Sequence, residues 1–456
     1  MTTESMLRLR DDAGVEQRAD GVPVLVEGHV RMALPGAEAA LDALGRGCTE
    51  DELLELADGD SDVLRLQLLL SRLETGGWLE RRVVADGTPL ATLRPVGHQL
   101  KPATRRLDPN ADVTLSRFAL LRARDGEVVL ESPRASVEVV LHEPRLGALV
   151  AGLARPERPQ ELGGPDVAAV LQLLLDADLL VAPGAEDERE LAQWAFADLL
   201  FHARSRVGRH VGGYGGTFRL EGRFEPLPAV KPAGEPAIVF EAPDLDALDD
   251  PPFTAVLESR RSLRAHDDSR PLTAAQLGEF LYRSARVRQV FADAREELSS
   301  RPYPGGGAVY ELELYPLVQN VAGLEPGLYH YDPAGHALEL VAEPGPRTQL
   351  LLEYGRRTGV METPPQVLLL VAARFGRAMW KYESMAYALV LKQVGVLYQT
   401  MYLVATAMGL APCALGGGNP DAFAAATGLD YYAETTVGEF LLGSRPPVPD
   451  TGEKEG

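Results

Sequence analysis

Residues 366–418 read QVLLLVAARFGRAMWKYESMAYALVLKQVGVLYQTMYLVATAMGLAPCALGGG, and this stretch decides the fold of the C-terminal half. Its opening run, 366–375, is apolar almost throughout, which predicts a strand buried on both faces. The segment 385–415 is apolar on nearly every face, but polar side chains interrupt it before the roughly 20 residues that a bilayer requires. We therefore expect no membrane span there, but a helix buried all round in a large core or a subunit interface.

The elements around this stretch predict an α+β domain over residues 254–446. Apolar and polar residues alternate in 309–320, as in a half-buried strand, and a capping threonine, Thr273, opens a helix. The pattern predicts a mixed sheet that is flanked by helices. The helices are expected at 254–264 and 273–286, and the strands at 309–320, 327–341 (a hairpin), 366–375 and 438–443.

The first 187 residues repeat one order of elements. A helix, a short helix opened by Thr49, a longer helix and a strand follow one another, and the same order then returns. A hairpin turn at Asp125-Gly126 precedes the second copy. We predict two winged-helix-like units, 1–100 and 101–187, and an unrelated helical region remains the alternative.

Two further segments have no core pattern of their own. Segment 188–253 begins as a helix and becomes a proline-dotted wrapping linker. Within it, the glycine-rich run 212–217 lacks the lysine and the helix of a phosphate-binding loop, so we interpret it as an ordinary loop. Residues 447–456 are predicted to be a disordered tail.

The composition excludes several classes of protein. The chain has 66 acidic and 45 basic residues and a formal net charge of -21, which disfavours nucleic-acid binding in the absence of a basic patch. Only Cys48 and Cys413 are cysteines, and no Cys/His cluster has metal-ligand spacing, so neither a disulfide framework nor a metal site is predicted. The N-terminus has no signal peptide, and we expect a cytoplasmic protein.

Three motifs could hold an anionic ligand that carries a planar ring. The run Arg260-Arg261-Ser262-Leu263-Arg264 suits a phosphate monoester, because guanidiniums give charge-assisted donors, although a solvated helix face is the plain alternative. Two glycine runs, 302–308 and 409–419, would let the backbone approach a ring closely. The sequence has no GxGxxG, GxxxxGK[ST], HExxH or GxSxG motif.

These motifs, in this order and spacing, resemble the nitroreductase-like FMN oxidoreductases. An R-x-S-x-R segment, a Pro-Gly-rich loop before a strand, a long apolar helix that ends in G-L-x-P, and a terminal G-E-F-x-L-G all match. More narrowly, RPYPGGGAVYELELYP, W-KYE-S and GLAPCALGGGN resemble the SagB-type dehydrogenases, the azoline oxidases of thiazole/oxazole-modified peptide biosynthesis. The resemblance covers about 190–445, and Gly305 stands where many relatives carry serine.

The resemblance implies which residues hold the cofactor FMN. It places Arg260, Ser262 and Arg264 at the phosphate and ribityl chain, and Arg445 at the phosphate. It places two loops along the isoalloxazine ring. Their residues are Pro304, Gly305, Gly306 and Gly307 in the first loop, and Leu415, Gly416 and Gly417 in the second.

The resemblance also implies the chemistry. A thiazoline or oxazoline ring of a ribosomally made peptide would become the azole, with proton abstraction, hydride transfer to flavin N5 and reoxidation by oxygen. A Lys-Tyr pair performs the acid–base work in this family, and the matching residues are Lys381 and Tyr382. Helical neighbours point about 100° apart, so both can face one substrate only at a helix start or in a turn. We expect them at the start of the long apolar helix.

The partners follow from the same resemblance. We expect an azoline-containing precursor peptide, a homodimer with FMN at the interface, and the cyclodehydratase of the same pathway as a possible partner. Winged-helix edge strands can accept a peptide strand, so the N-terminal units should recognise peptide or protein rather than DNA. Two alternatives remain, namely an NAD(P)H-dependent nitro or quinone reductase of the same fold and a non-catalytic peptide-binding scaffold.

Overall fold

The computed structural model describes residues 2–27, 30–97, 105–232 and 234–447. The chain divides into two units, Met1–Tyr214 and Gly215–Gly456. The division lies inside the predicted linking segment 188–253. The predicted tail, apart from its first residue, lies outside the described residues.

The N-terminal unit contains twelve strands and eight helices among its described residues. Its strands are β1 (Thr3–Leu9), β2 (Gly14–Gln17), β3 (Pro23–Glu27), β4 (Val30–Ala33), β5 (Cys48–Thr49), β6 (Leu79–Ala85), β7 (Thr88–Pro95), β8 (Thr114–Leu115), β9 (Leu120–Arg124), β10 (Glu127–Glu131), β11 (Val137–Leu141) and β12 (Leu180–Val181). Its helices are α1 (Glu38–Arg46), α2 (Glu50–Leu54), α3 (Asp60–Thr75), α4 (Pro144–Gly152), α5 (Pro159–Leu162), α6 (Pro165–Asp176), α7 (Arg189–Ala192) and α8 (Phe196–Arg204).

One antiparallel sheet runs through both halves of this unit. Its strand order is β5-β1-β6-β7-β11-β10-β9, and the pairing of β7 with β11 joins the two predicted units. The hairpin between β9 and β10 turns at Asp125 and Gly126, whose φ angles of 52° and 83° are those of the predicted two-residue turn. The winged-helix interpretation of each half stays a prediction.

The C-terminal unit contains eleven strands, six α-helices and two short 3-10 helices among its described residues. Its strands are β13 (Gly215–Gly216), β14 (Ile238–Val239), β15 (Gln289–Ala292), β16 (Glu297–Ser300), β17 (Leu312–Val318), β18 (Gly327–Asp332), β19 (Ala337–Ala342), β20 (Val367–Arg374), β21 (Tyr382–Glu383), β22 (Leu410–Leu415) and β23 (Glu434–Ser444). Its helices are α9 (Phe253–Ser259), α10 (Ala274–Ala285), α11 (Pro346–Thr358), α12 (Phe375–Lys381), α13 (Ala386–Ala407) and α14 (Pro420–Thr427), with 3-10 turns at Leu245–Ala247 and Gly306–Ala308.

The main sheet of this unit has the order β14-β19-β18-β17-β20-β23-β22 and separates two cores. Adjacent residues Phe440 and Leu441 of β23 enter opposite cores, and every residue of β20 is buried, as predicted. The α+β class is therefore confirmed. The prediction of a mixed sheet was wrong, because each strand pair in this sheet is antiparallel. The helical crossover through α12 and α13 does join two strands of the same direction, β20 and β22, but β23 lies between them, so hydrogen-bonded neighbours are antiparallel.

Helix α13 is long and apolar enough to cross a membrane by length and composition alone. Core helices pass the same test, and 33% of the most apolar 18-residue window of α13 is buried. Within one chain the helix buries one face only, so the expectation of a helix buried all round was wrong at this level. The exposed residues are Tyr387, Leu391, Lys392, Gly395 and Gln399.

Candidate active site

The arginine-rich segment Arg260–Arg264 lies against the C-terminal end of α13. Helix α9 ends at Ser259 rather than at the predicted residue 264, so the segment is not helical. The Leu263 N–H donates to the Pro412 carbonyl of β22 at 2.8 Å. The Tyr402 hydroxyl of α13 lies 2.8 Å from the Ser262 hydroxyl and accepts the Ala414 N–H at 2.8 Å. Tyr402 thus ties the segment to the strand that leads into the second glycine loop.

The guanidiniums of this segment are available to an anion. Arg260, Arg261 and Arg264 form no ion pair with a carboxylate in the described part of the chain. Arg261 and Arg264 are exposed, and Arg260 lies over the Tyr402 ring at 5.1 Å from its centroid. Three guanidiniums without a carboxylate partner in the described part of the chain, in a protein of net charge -21, give this segment the donors that a phosphate requires, and its role as a phosphate site stays a prediction.

Arg445 directly follows β23, where the strand meets the continuation of the arginine segment. The Ser444 carbonyl accepts the Asp267 N–H at 3.2 Å, and the Ser444 hydroxyl donates to the Asp267 carbonyl at 3.0 Å. Arg445 is exposed and has no carboxylate partner among the residues that the structure describes. Its placement is compatible with the role that the resemblance implies.

The first glycine loop packs its α-carbons against side chains of the same chain. A Cβ on Gly305 would lie 2.8 Å from the Tyr310 ring, and one on Gly306 would lie 2.7 Å from Leu389. Gly307 has φ 60° and contacts the Tyr382 hydroxyl. These contacts give a reason for the glycines that the sequence did not reveal, while a close approach of the loop to a flavin ring stays a prediction.

The second glycine loop is open. Leu415 is the buried last residue of β22, and Gly416 has no atom within 4 Å of the position that a Cβ would occupy. The Cβ position of Gly417 is 4.0 Å from its nearest neighbour, Thr358. This loop, unlike the first, leaves space beside its α-carbons for a ligand.

A buried carboxylate lies under the end of this open loop. Glu439 of β23 pairs in register with Leu415, and its carboxylate contacts Gly418. Burial raises the pKa of the Glu439 carboxyl from its ordinary value of 4.5 to about 7. The loop therefore has a titratable group beneath it that is close to half-protonated at neutral pH.

Lys381 and Tyr382 meet at Gly307, between two helices. Lys381 is the last residue of α12 and Tyr382 the first of β21, so the predicted position at the start of the long helix was wrong. The helix ends between the two residues, and the change of backbone conformation there brings both side chains to Gly307. The Lys381 ammonium donates to the Gly307 carbonyl at 3.3 Å and to Glu296 at 2.8 Å. The Tyr382 hydroxyl has no hydrogen-bond partner among the described residues.

The glycine-rich run 212–217 also contacts the segment that carries Lys381 and Tyr382. Its residues Gly215 and Gly216 form β13, which pairs with β21 so that Gly216 lies opposite Tyr382. The Phe218 N–H donates to the Lys381 carbonyl at 3.2 Å. The interpretation of this run as an ordinary loop was therefore incomplete.

The two sets of site residues lie on opposite flanks of α13. The arginine segment contacts the helix at Tyr402, whereas the Gly306 N–H donates to Gln393 at 3.2 Å. Nine residues make two and a half turns, so these side chains leave the helix in opposite directions, about 13 Å apart along its axis. One chain thus brings the arginine segment together with the open loop, and separately the Lys381-Tyr382 pair together with the packed loop.

Sequence interpretation missed three residues that organise these sites. Gln393 and Tyr402 are polar groups in an apolar helix, and such groups need partners when buried, which was a usable signal. Gln393 also donates to Glu311 at 2.8 Å. Glu296 gave no signal, because its partner Lys381 is distant in sequence.

Two family models match the chain. The nitroreductase family matches residues 257–443, and the cyanobactin oxidase ThcOx matches residues 113–211. The first match contains α13, which is therefore an element of that domain. Neither match reaches half of the chain.

Individual relatives cover parts of the chain. A "putative nitroreductase" of Methanocaldococcus jannaschii is 29% identical over 39% of this chain and 83% of its own length. The microcin B17-processing protein McbC of Escherichia coli is 34% identical over 24% of this chain and 42% of its own length. The trifolitoxin-processing protein TfxB of Rhizobium leguminosarum bv. trifolii is 27% identical over 28% of this chain and 35% of its own length. The chain thus spans less than half the length of either processing protein.

Solved structures that match part of the chain include the Escherichia coli microcin synthetase McbBCD complex with truncated pro-MccB17 bound. A chain of that complex has a TM-score of 0.34 and 23% identity, over 50% of this chain and 91% of its own. A nitroreductase family protein from Clostridium difficile 630 has a TM-score of 0.28 and 15% identity, over 43% of this chain and 87% of its own. The family matches and relatives confirm the predicted resemblance: the chain is an oxidoreductase whose residues 257–443 match the nitroreductase family and whose residues 113–211 match the cyanobactin oxidase ThcOx.

Proposed function

We propose that the chain is an FMN-dependent dehydrogenase that oxidises thiazoline or oxazoline rings of a ribosomally made peptide to azoles. The observation that carries the proposal is the convergence of Lys381 and Tyr382 on Gly307. A nitroreductase-family domain that only exchanges hydride with a soluble cofactor does not need such a pair. The match to a cyanobactin oxidase over residues 113–211 supports a peptide as the substrate.

The residues present fit FMN. Arg260, Arg264 and Arg445 would hold the phosphate, Ser262 would donate to it or to the ribityl chain, and the open loop at Gly416 would border the ring system. Bound FMN would supply the acceptor for the hydride that leaves the azoline ring. The chain would supply the rest of the chemistry, which is orientation of the ring and removal of the proton.

Tyr382 is our candidate for the group that takes the proton. Its oxygen has no hydrogen-bond partner among the described residues, so in the phenolate form it could take the proton from the ring carbon next to the departing hydride and become the neutral phenol. Lys381 donates to Glu296 and Gly307 and is therefore held as a cation beside it. A fixed positive charge at that place stabilises negative charge that develops on the phenol or on the substrate.

The function can be tested directly by mass measurement. The purified protein should carry a flavin absorbance spectrum, and an azoline peptide should lose two hydrogens per oxidised ring on incubation in air. A full precursor peptide should turn over faster than a short azoline peptide if the N-terminal unit recognises the leader, as we propose. A colourless protein that does not take up FMN would instead support a non-catalytic scaffold.

A nitro or quinone reductase is the second candidate. The similarity to the Methanocaldococcus jannaschii protein favours it, because that match covers most of a protein named only for nitroreduction. Rapid NADPH oxidation with a quinone, together with no mass change in azoline peptides, would establish this activity and refute the first proposal.

Phosphate anchoring gives a prediction for cofactor content. Arg260→Ala and Arg264→Ala should each weaken FMN binding by about tenfold or more, because loss of a charge-assisted contact costs about 1.5–3 kcal/mol. The measurement is the FMN dissociation constant from quenching of flavin fluorescence. Arg357→Ala is the matched control, because this α11 side chain is 72% exposed and pairs with Glu353. Both site variants binding FMN like the control would remove the phosphate assignment.

We also propose a homodimer in which each FMN lies between two chains. The phosphate site and the Lys-Tyr site of one chain lie on opposite flanks of α13, so one cofactor would contact both sets most simply by taking one from each copy. The face of α13 between them is exposed at Leu391, Gly395 and Gln399. Leu391 is 39% exposed and Tyr387, one turn earlier, is 41% exposed, and neighbouring exposed apolar side chains of this kind are typical of a surface that a partner covers.

The dimer gives a second prediction. Leu391→Glu should halve the mass in solution and release FMN, because a buried unpaired carboxylate disfavours the interface. Light scattering after gel filtration gives the mass, and absorbance in the same run gives the flavin content. Leu350→Glu, on the 46% exposed Leu350 of α11, should remain dimeric and yellow. A monomeric wild-type protein with flavin still bound would reject the dimer.

A further inference from the structure

Glu296 is a buried carboxylate that is hydrogen-bonded to the Lys381 ammonium. Its side chain is 1% exposed, and its Oε1 accepts from the Lys381 Nζ at 2.8 Å. The other oxygen, Oε2, has no hydrogen-bond donor among the described residues. A buried carboxylate without a cationic partner is strongly disfavoured, so the Lys381 contact is the one that makes this burial possible.

Arg377 is the other cation near Glu296, but its donors point elsewhere. Its Nη1 lies 3.6 Å from the Glu296 Oε2 without a hydrogen bond. The guanidinium donates instead to backbone carbonyls. These are the carbonyls of Val309 at 2.9 and 3.1 Å, Leu227 at 2.7 Å and Glu297 at 2.9 Å. Arg377 therefore holds segments of the backbone together. The Glu296 carboxylate remains available to orient the Lys381 amine.

The backbone fixes Glu296 in turn. It ends the turn between β15 and β16, where the Asp293 side chain accepts the Glu296 N–H at 2.9 Å and the Asp293 N–H donates to the Glu296 carbonyl at 3.1 Å. The amine of Lys381 thus lies between a fixed carboxylate and the Gly307 carbonyl. Other charged groups nearby are Asp293, Arg295 and Arg377, and the Phe218 ring centroid is 5.9 Å from the amine.

We propose that Glu296 is the positioning residue of the active site: it holds the Lys381 ammonium beside Gly307 and so beside the Tyr382 hydroxyl. The inference rests on the proposed function, because it assigns Glu296 a role through a pair that we take to be catalytic. It goes beyond that function by naming a third residue, distant in sequence, on which the geometry of the pair depends. Glu296 itself would not contact the substrate.

The test measures the Lys381 amine directly. We expect Glu296→Gln to raise acylation of Lys381 by a water-soluble acetylating ester by about tenfold, the scale for losing a charge-assisted hydrogen bond. Acetylation of Lys381 is quantified by mass in the FMN-loaded full chain and compared with that of the wild-type protein under the same conditions. Azole formation should fall by a similar factor while FMN content is unchanged. Glu296→Asp, which keeps the charge, should recover part of both.

The matched control is the next residue. Glu297 is exposed and accepts the Ala229 N–H at 3.3 Å, so Glu297→Gln should leave Lys381 acetylation and turnover at wild-type values. Wild-type acetylation and turnover in Glu296→Gln would overturn the inference. Raised acetylation in Glu296→Gln, combined with a wild-type protein that does not oxidise azolines, would support the positioning contact and refute the proposed function instead.

Discussion

We expect Tyr382→Phe to lower azole formation by at least about 100-fold while FMN stays bound, the usual scale for losing a positioned acid–base group. The substitution removes one oxygen and keeps the ring. That oxygen faces Gly307, where the Lys381 ammonium also donates, and it has no other partner in the described part of the chain. The fold does not depend on it, so the effect should fall on the chemical step.

Lys381→Ala should lower azole formation by a similar factor, but for a different reason. The ammonium would no longer stabilise negative charge beside Tyr382, and the buried Glu296 carboxylate would lose its hydrogen-bonded cation and keep only the more distant Arg377. Some loss of thermal stability should accompany Lys381→Ala, whereas Tyr382→Phe should melt like the wild type. The two variants therefore separate the chemical role of the pair from its structural role.

The measurement is single-turnover oxidation of an azoline peptide, followed by mass. Dithionite reduction and air reoxidation of the flavin should be unchanged in both variants, which shows that the cofactor site is intact. Tyr354→Phe is the matched control, because Tyr354 lies on α11 and is likewise 41% exposed. If Tyr382→Phe and Lys381→Ala both oxidise azolines at the wild-type rate, the pair is structural and the base lies elsewhere.

The sequence predicted those parts of the structure that depend on local pattern. Thr49 and Thr273 both cap helices with their side chains, as their positions indicated. The apolar run at β20 and the hairpin at Asp125-Gly126 also form as expected. In each case the deciding interaction joins residues a few positions apart, or follows from a period of hydrophobicity.

The sequence did not predict contacts between short, distant segments. Strand β13 pairs with β21 although the two are far apart in the chain, and two residues are too few to show a period. The contact of Glu296 with Lys381 is also non-local, at a separation of 85 residues. The arginine segment was predicted from its composition, but its attachment to Tyr402 depends on the packing of α13 against β22.

Glu439 shows a signal that was present in the sequence and went unused. The motif GEFLLG was interpreted as a short apolar strand, and its single acidic residue received no role. A carboxylate on a strand whose neighbours are all apolar must be exposed, paired or shifted in pKa. The structure shows the third case, since Glu439 is 6% exposed and forms no ion pair among the described residues.

The pKa of Glu439 leads to a prediction about stability. Burial raises the pKa from 4.5 to about 7 in the folded chain. Between these values the folded chain binds more protons than the unfolded chain, so the free energy of unfolding falls as pH rises through this window. A shift of that size corresponds to about 3 kcal/mol of stability, which is fully present below about pH 4.5 and is lost as the pH rises past about 7.

Glu439→Gln should therefore stabilise the C-terminal unit at pH 8 and have little effect at pH 4.5. The amide has nearly the shape of the protonated carboxyl and carries no charge, so the cost of burying a carboxylate disappears. We expect the melting temperature of FMN-free protein to rise by roughly 5 °C or more at pH 8. Calorimetry of the full chain measures it, and the transition that shifts when FMN is added identifies the C-terminal unit.

The control is Glu353→Gln, at a carboxyl whose pKa is lowered in the folded chain instead of raised. Glu353 on α11 is paired with Arg356 and Arg357, which lower the pKa of its carboxyl to about 2. Its ionised form is favoured in the folded chain, so Glu353→Gln should not stabilise the protein at pH 8. Equal melting temperatures of Glu439→Gln and wild type at both pH values would show that the Glu439 carboxylate is solvated in solution. A gain at pH 8 alone would place a neutral-pH titration directly beneath the loop that we assign to the flavin ring.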